Sequence, residues 1–385
     1  MTYPKLIQLA EKGEVKFFLQ FGGQGSPYFK ELSAYFQQEN MQNFFAHSLE
    51  AINAVIKRTE GTPALPFPLK IEEWLSGKEE PPSDDELAAA GISLGMIQVT
   101  QLAHLEYLHQ AGIKRNLLVK HSLAASGHSQ GLITACLVAL NLDDNSYYDA
   151  MKIFIQYLFL MGIRAQEVFP YLRPTEEERH LSEKLGLKNP APMVAVLGGT
   201  HDLVEQLVFD FNSTANSNIY VSLYNTPQNR IISGTRWALL KFYEKYQNLF
   251  QEKNLKYIFL RSTGAFHSPI MKPIEKPMAQ DIEAISFHFK GSDLKIPVFS
   301  FADGKNLQEE ENLGMRLCQD LMIRPLYWEK ALIPAVREKR ITHILDFGPG
   351  KTSQRLTQET LEALGAPKTV LALAVAKELK EFLAT

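Results

Sequence analysis

Residues 126–135 read SGHSQGLITA: one serine, Ser129, between two glycines, with His128 before it and an apolar run after it. The preceding SLAAS (122–126) reads as an incoming strand, and QGLITACLVAL (130–140) reads as an outgoing helix. A Gly-x-Ser-x-Gly stretch between a strand and a helix is the pattern of a nucleophile elbow. Gly127 and Gly131 remove side chains where such a sharp turn crowds the backbone. The serine is then held at a helix N-terminus, where exposed N–H groups and the helix dipole favour negative charge. An acyl transfer builds an oxyanion beside its nucleophile, and the N–H of Gln130 is the natural first donor to it.

Working outward, strands and helices alternate. VKFFLQFGGQG (15–25) is an apolar strand stopped by glycines, and helical periodicity follows through residues 28–58. Residues 61–85 carry five prolines and the charged run GKEEPPSDDE, an irregular surface excursion. A helix is expected around 95–111, then the strand and helix of the elbow. This alternation indicates an α/β fold with a mainly parallel sheet. After a charged connection at 173–192, the order changes to strand MVAVLGG, helix, strand IYVSLYN, strand RIISG, helix, strand KYIFLR. That β-α-β-β-α-β order is ferredoxin-like. It predicts a small subdomain over 190–263 inserted into a larger one made of 1–189 and 264–385. The chain returns to the larger unit at STGAFHSPIM and later passes through strand ITHILDF and turn GPGK.

Composition limits the function classes. The 385 residues are 45% hydrophobic and 22% charged, with a net charge of −3, so nothing favours a nucleic-acid partner. Two cysteines, Cys136 and Cys318, exclude a disulfide framework and suit a reducing compartment. MTYPKLIQLAEKGEVK lacks a signal-peptide core and no apolar run reaches spanning length, so a cytoplasmic location without membrane contact is expected. No metal-ligand spacing occurs, so no metal is expected. FGPGK (347–351) lacks the spacing of a P-loop, which discounts nucleotide binding there.

A serine hydroxyl needs a base, and the chain has ten histidines. His47, His104, His109 and His180 lie in helical or charged stretches and read as solvated or core residues. His128 precedes the serine on the strand, where alternation points it to the opposite face, yet it stays among the candidate pocket residues with Met161, Arg164 and Asn225. His343, within RITHILDF, reads as packed in a sheet strand. His267, in STGAFHSPIM, follows the end of a strand among small residues that leave room at a site edge. Gln24, on the glycine-rich turn after the first strand, is the candidate second oxyanion donor.

FGGQGS, QLAHLEYLHQAGI, ASGHSQGLITA, MGIRAQEVFP, YNTPQNRIISG, FHSPIM and THILDFGPG, in that order from about Phe17 to Phe347, together resemble the acyl-CoA:acyl carrier protein transacylase family. Several of them look most like the acetyltransferase domain of fungal-type fatty acid synthase, and starter-unit transacylase domains are similar too. The resemblance implies an α/β-hydrolase-like large subdomain, an inserted ferredoxin-like one, and an active site in the cleft between them. It implies Ser129 as nucleophile, His267 as base, and Gln24 with the Gln130 N–H as oxyanion hole. It also implies ping-pong transfer from acyl-CoA to the phosphopantetheine thiol of an acyl carrier protein, with no permanently bound cofactor. A backbone carbonyl near Leu321 would orient the histidine, and Asn225 would lie at the cleft rim.

Malonyl-specific members carry an arginine nine residues before the proline that closes the MGIRAQEVFP helix; this chain has Met161 there, and Arg164 one turn later. Three residues along a helix turn a side chain about 60° away. An unpaired buried carboxylate costs several kcal/mol, whereas methionine offers a flexible apolar wall. The expectation is therefore a neutral donor, acetyl or longer, with malonyl transfer as the alternative. A serine esterase or thioesterase using Ser129, His343 and Asp303 or Asp346 is a second alternative, and a non-catalytic carrier-docking subunit a third.

Overall fold

A computed structural model describes residues 3–215, 218–338 and 340–384. Nine strands occur among them: β1 (Phe17–Phe21), β2 (Ser122–Gly127), β3 (Met193–Leu197), β4 (Tyr220–Thr226), β5 (Asn229–Ser233), β6 (Lys256–Phe259), β7 (Leu326–Tyr327), β8 (His343–Asp346) and β9 (Thr369–Ala372). They form two sheets, one of order β2-β1-β8-β9 and one of order β6-β3-β5-β4-β7.

The first sheet is parallel throughout. Its central strand β1, FFLQF, is buried at every position, as expected where helices cover both faces of a parallel sheet. The one polar residue in that strand, Gln20, meets polar partners: its Nε2 donates to Asp346 Oδ2 at 2.9 Å and its Oε1 accepts from Thr357 Oγ1 at 2.7 Å. Helices Ala90–Gln110 and Asp144–Val168 pack against each other as a long pair and against helix Gly131–Ala139, which covers β1 and β2. The helical run at 28–58 is broken by a 3-10 turn at Glu39–Met41, giving helices Phe29–Phe36 and Gln42–Arg58. The excursion at 61–85 holds a short helix, Ile71–Ser76, and at its end the four-residue turn of helix Asp84–Leu87, capped by Ser83.

In the second sheet β3, β4, β5 and β6 pair antiparallel. Two helices, His201–Asn212 and Arg236–Glu252, bury one face around Val194, Val196, Ile232 and Phe242. The other face gives Met193, Ala195, Leu223 and Ile231 to the main core. Two-residue β7 adds to β4 in parallel, pairing Leu223 with Leu326 and Tyr224 with Tyr327. The small sheet is thereby stitched to the large body through backbone hydrogen bonds. A two-residue strand leaves no period in the sequence, so periodicity could not reveal it.

The elbow depends on two close backbone approaches. A Cβ on Gly127 would lie 1.9 Å from the Gly131 carbonyl carbon, and one on Gly131 would lie 2.1 Å from the Phe21 carbonyl oxygen. Between them Ser129 adopts a φ of 53°, the left-handed region that non-glycine residues seldom occupy. Both obstructing groups are backbone and cannot swing aside. Gly131→Ala should therefore lower unfolding stability by about 2–3 kcal/mol or more. A urea melt monitored by circular dichroism checks this, and a midpoint like that of the unsubstituted protein would contradict the packing described.

Candidate active site

β2 delivers its last residue, Gly127, to the C-terminal edge of the parallel sheet, and helix Gly131–Ala139 leaves from the same point. Ser129 Oγ lies 2.8 Å from His267 Nε2. His267 Nδ1 lies 3.0 Å from the Arg324 carbonyl oxygen. A carbonyl can only accept, so Nδ1 carries the proton and Nε2 presents its lone pair to the serine hydroxyl. The orienting carbonyl is thus that of Arg324, three residues beyond the position near Leu321 that the motif alignment implied. His267 shares with Ser129 a left-handed backbone, at φ 55°. It is 2% exposed. Burial away from water pushes its pKa down to about 3, against the upward pull of the Arg324 carbonyl, and nearby His128 lowers it further.

The glycine turn after β1 passes directly over the elbow: a Cβ on Gly23 would sit 2.9 Å from the His128 carbonyl oxygen and 3.2 Å from Ser129 Cβ. Gln24 follows at once. Its side-chain nitrogen donates to the Ala88 carbonyl at 3.1 Å and to Ser93 Oγ at 2.5 Å, so the amide is committed to the protein. The backbone N–H groups of Gln24 and Gln130 donate to no backbone carbonyl among the described residues. Of the two donors that Gln24 offers, the side-chain amide is thus the one already in use.

Ser129, His267, His128 and Gln24 line one cavity of about 390 Å³. Its remaining wall is largely apolar, with Ile97, Leu223, Leu260 and Phe266 among the lining side chains. His128 does not face away as strand alternation suggested, because residue 128 lies beyond the end of β2, where alternation no longer applies. Its Nε2 meets Asn225 Oδ1 at 2.8 Å, and its ring meets Trp328 edge-on at 5.2 Å. Burial pushes its pKa down to about 4. Asn225 is buried, not at an open rim, and ties β4 to the elbow through this bond.

Two expected pocket residues lie elsewhere. Met161 is fully buried but is not among the residues that line the cavity. Arg164 points to another face, where its guanidinium binds Asp281 at 2.7 Å and Glu167 at 2.8 Å. Ser93 and Ile97, one turn apart on the neighbouring helix Ala90–Gln110, line the cavity.

The hydrolase constellation is not assembled. His343 pairs with Phe17 at the start of the parallel strands, whereas Gly127 pairs with Phe21 at their end, so His343 and the elbow lie at opposite ends of the sheet. Asp303 is held by Arg316 at 2.8 Å. Asp346 is wholly buried and accepts from Gln20, the Gly348 N–H and Ser353. No group of side chains suited to a metal ion occurs among the described residues, and none of their helices is long and apolar enough to cross a membrane. What the cavity does contain is a serine hydroxyl in contact with an imidazole whose other nitrogen is held by a carbonyl, an arrangement that can perform nucleophilic acyl transfer.

Solved structures of known proteins share this fold. A malonyl CoA-acyl carrier protein transacylase from Clostridium perfringens superposes with a TM-score of 0.67 at 20% identity, covering 95% of this chain and 96% of that one. A malonyl-transacylase solved in complex with its type II PKS acyl-carrier protein gives 0.66 at 17% identity, covering 96% and 99%. In sequence, the fatty acid synthase subunit beta of Schizosaccharomyces pombe is 30% identical over 90% of this chain and 17% of its own length. The fatty acid synthase beta subunit aflB of Emericella nidulans is 26% identical over 86% of this chain and 16% of its own. The chain thus spans less than a fifth of the length of these relatives. Residues 19–266, more than half of the chain, match the family described as starter unit:ACP transacylase in aflatoxin biosynthesis. With that match, and with the elbow and fold just described, the chain belongs to the starter unit:ACP transacylase family.

Proposed function

We propose that this protein is an acyl-CoA:acyl carrier protein S-acyltransferase that moves a neutral acyl group, acetyl or longer, in fatty acid or polyketide synthesis. The observation that carries this reading is the 2.8 Å contact from Ser129 to an imidazole whose other nitrogen is held by a carbonyl. In the proposed cycle Ser129 Oγ attacks the thioester carbonyl of acyl-CoA while His267 Nε2 takes the hydroxyl proton. The N–H groups of Gln24 and Gln130 receive the oxyanion. Collapse expels the CoA thiolate, which recovers the proton from His267. The phosphopantetheine thiol of a carrier protein then attacks the acyl-serine and leaves with the acyl group, again with His267 handling the proton. No bound cofactor is needed.

In this reading residues 1–189 and 264–385 form the catalytic body, and 190–263 supply one wall of the cleft. Cys136 and Cys318 are buried free thiols, which suits a cytoplasmic setting.

The preference for a neutral acyl group no longer rests on Met161. It rests on the cavity wall, where the charged lining residues are Asp84 and Arg261. These two are 3.7 Å apart, and Arg261 also reaches Asp85 at 3.2 Å. A malonyl carboxylate would meet apolar groups inside, at a cost of several kcal/mol if left unpaired. Arg261 is the observation that keeps malonyl as the competing reading, since it could pair that carboxylate only by leaving its aspartates.

Incubation with acetyl-CoA or hexanoyl-CoA should add one acyl mass to the protein and none to Ser129→Ala, read by intact mass spectrometry. Malonyl-CoA should load at least about a hundredfold more slowly, the equivalent of ~2.7 kcal/mol. Equal malonyl loading would overturn the neutral-acyl reading, and release of CoA without any adduct would favour a hydrolase.

The pH dependence follows from the buried imidazole. Burial disfavours the charged form, so His267 stays an unprotonated base as pH falls through 6.5. The rate of Ser129 acylation should therefore be nearly flat from pH 8 down to about 5. A loss of rate with a midpoint near 6.5, measured by stopped-time mass spectrometry, would mean that the histidine is solvated during reaction.

A further inference from the structure

A second cavity, of about 350 Å³, adjoins the first. The two share the segment Phe259–Ser262 and Ala88 as a common wall. Arg261 lines both, and its side chain is more than half exposed. Beyond it the second cavity carries Arg173, and its floor is apolar and stiff, with Pro66, Leu172, Pro174 and Pro190. Arg236 stiffens the same wall, donating to the carbonyls of Pro190 at 3.1 Å and Tyr171 at 2.5 Å. Nothing in the serine chemistry uses this cavity.

Three acidic groups face these arginines. Arg261 pairs with Asp84 and Asp85, and Arg173 with Glu86 at 3.7 Å. All three contacts are solvent-exposed ion pairs of little strength. A phosphate offers each guanidinium charge-assisted, bidentate bonds, so an incoming phosphoryl group can displace either partner.

Resting on the acyltransferase reading, we propose that the second cavity receives the nucleotide end of a coenzyme A donor. Arg261 at the junction pairs the diphosphate and Arg173 the ribose 3′-phosphate, while the prolines and Leu172 flank the base. The order of groups along the donor matches the order along the protein: thioester at Ser129, diphosphate at the shared mouth, nucleoside beyond it. A carrier protein offers the phosphodiester but no nucleotide, so it would use Arg261 and leave Arg173 free.

Calorimetric binding of desulfo-CoA, 3′-dephospho-CoA and 4′-phosphopantetheine tests this without any turnover. The protein should bind desulfo-CoA about tenfold more tightly than 3′-dephospho-CoA, and Arg173→Ala should abolish that difference. Arg261→Ala should weaken all three ligands about tenfold, and Asp85→Asn, which frees Arg261, should tighten all three. The opposite signs at 261 and 85 distinguish phosphate recognition from a merely structural role. An Arg173→Ala protein that still distinguishes the two nucleotides, or an Arg261→Ala protein with unchanged affinities, would overturn the proposal. Loading of Ser129 by acetyl-N-acetylcysteamine, which has neither phosphate nor nucleotide, reads the serine chemistry separately. Loading combined with arginine-independent CoA binding sinks this inference alone, whereas arginine-dependent binding without loading sinks the acyltransferase reading alone.

Discussion

The arrangement hangs on one backbone crossing. Helix Gly131–Ala139 starts against the carbonyl of Phe21, at the end of the central strand, in a space that admits no side chain. That contact fixes where the serine stands relative to the sheet. The His128 N–H, donating to the same Phe21 carbonyl at 2.8 Å, fixes its rotation. Because β1 continues from Phe21 straight into Gly22, Gly23 and Gln24, one short path of main chain sets both the serine and the glycine turn that lies against it. A main-chain donor on that turn, as proposed for Gln24, would need no reorganisation as charge develops, the condition under which such stabilisation is largest.

Beneath that crossing lies a buried polar lattice. Gln101 Nε2 bonds the carbonyls of Gly22 and Gly348 at 2.7 and 2.8 Å, and its Oε1 accepts from Thr134 on the elbow helix. Asp346 receives Gln20, Gly348 and Ser353, and Gln20 in turn receives Thr357, which accepts from Trp328 Nε1 at 3.0 Å. Trp328 meets His128, and His128 holds Asn225 of the small sheet. Each member has partners, so the lattice avoids the penalty of buried unpaired polar groups and selects one geometry. On the far face of β4, Tyr224 stacks on Tyr327 at 4.5 Å, with Lys330 over the outer ring. The small sheet is therefore clamped beside the serine on both of its faces, close to the Arg324 carbonyl that aims the histidine.

The elbow and the place of His267 beside it were legible because each is announced by residue type and by glycines or small neighbours at fixed offsets, whereas the Gln24 amide expected to serve as a donor is bound to Ala88 and Ser93. What the sequence could not announce is what main chain does. The Arg324 carbonyl has no side-chain signature, and β7 is too short to show a period. Met161 and Arg164 failed for a different reason. Counting along a helix gives the angle between two residues but not which face meets the cavity, and here that face is turned to the core and to Asp281. Ser93 and Ile97 could have been found only by knowing how helices Ala90–Gln110 and Asp144–Val168 dock. His128 was misplaced by applying strand alternation one residue past the end of the strand.

A base as weak as His267 fits some acyl transfers better than others. Proton transfer is most efficient when donor and acceptor are matched, and an imidazolium formed in this dry cleft is a strong acid that readily gives its proton up. Release of an amine requires that proton to be delivered as the bond breaks. A thiol with a pKa near 8.5 leaves as thiolate with little help, so thioester exchange asks less of the base than peptide cleavage does. The demand shifts to stabilising the oxyanion, the role proposed for the main-chain N–H groups of Gln24 and Gln130. Burial also has a stability consequence. The unfolded chain protonates His128 and His267 near pH 6.5, while both stay neutral in the fold to about pH 4 and 3. At these two histidines the unfolded state binds more protons below pH 6.5, so their contribution to native stability falls as the solution becomes more acid, while Asp346, whose carboxyl burial raises to about 6, acts in the opposite direction. The burial that depresses the imidazole pKa and the apolar wall proposed to suit a neutral acyl group are one property of the cleft.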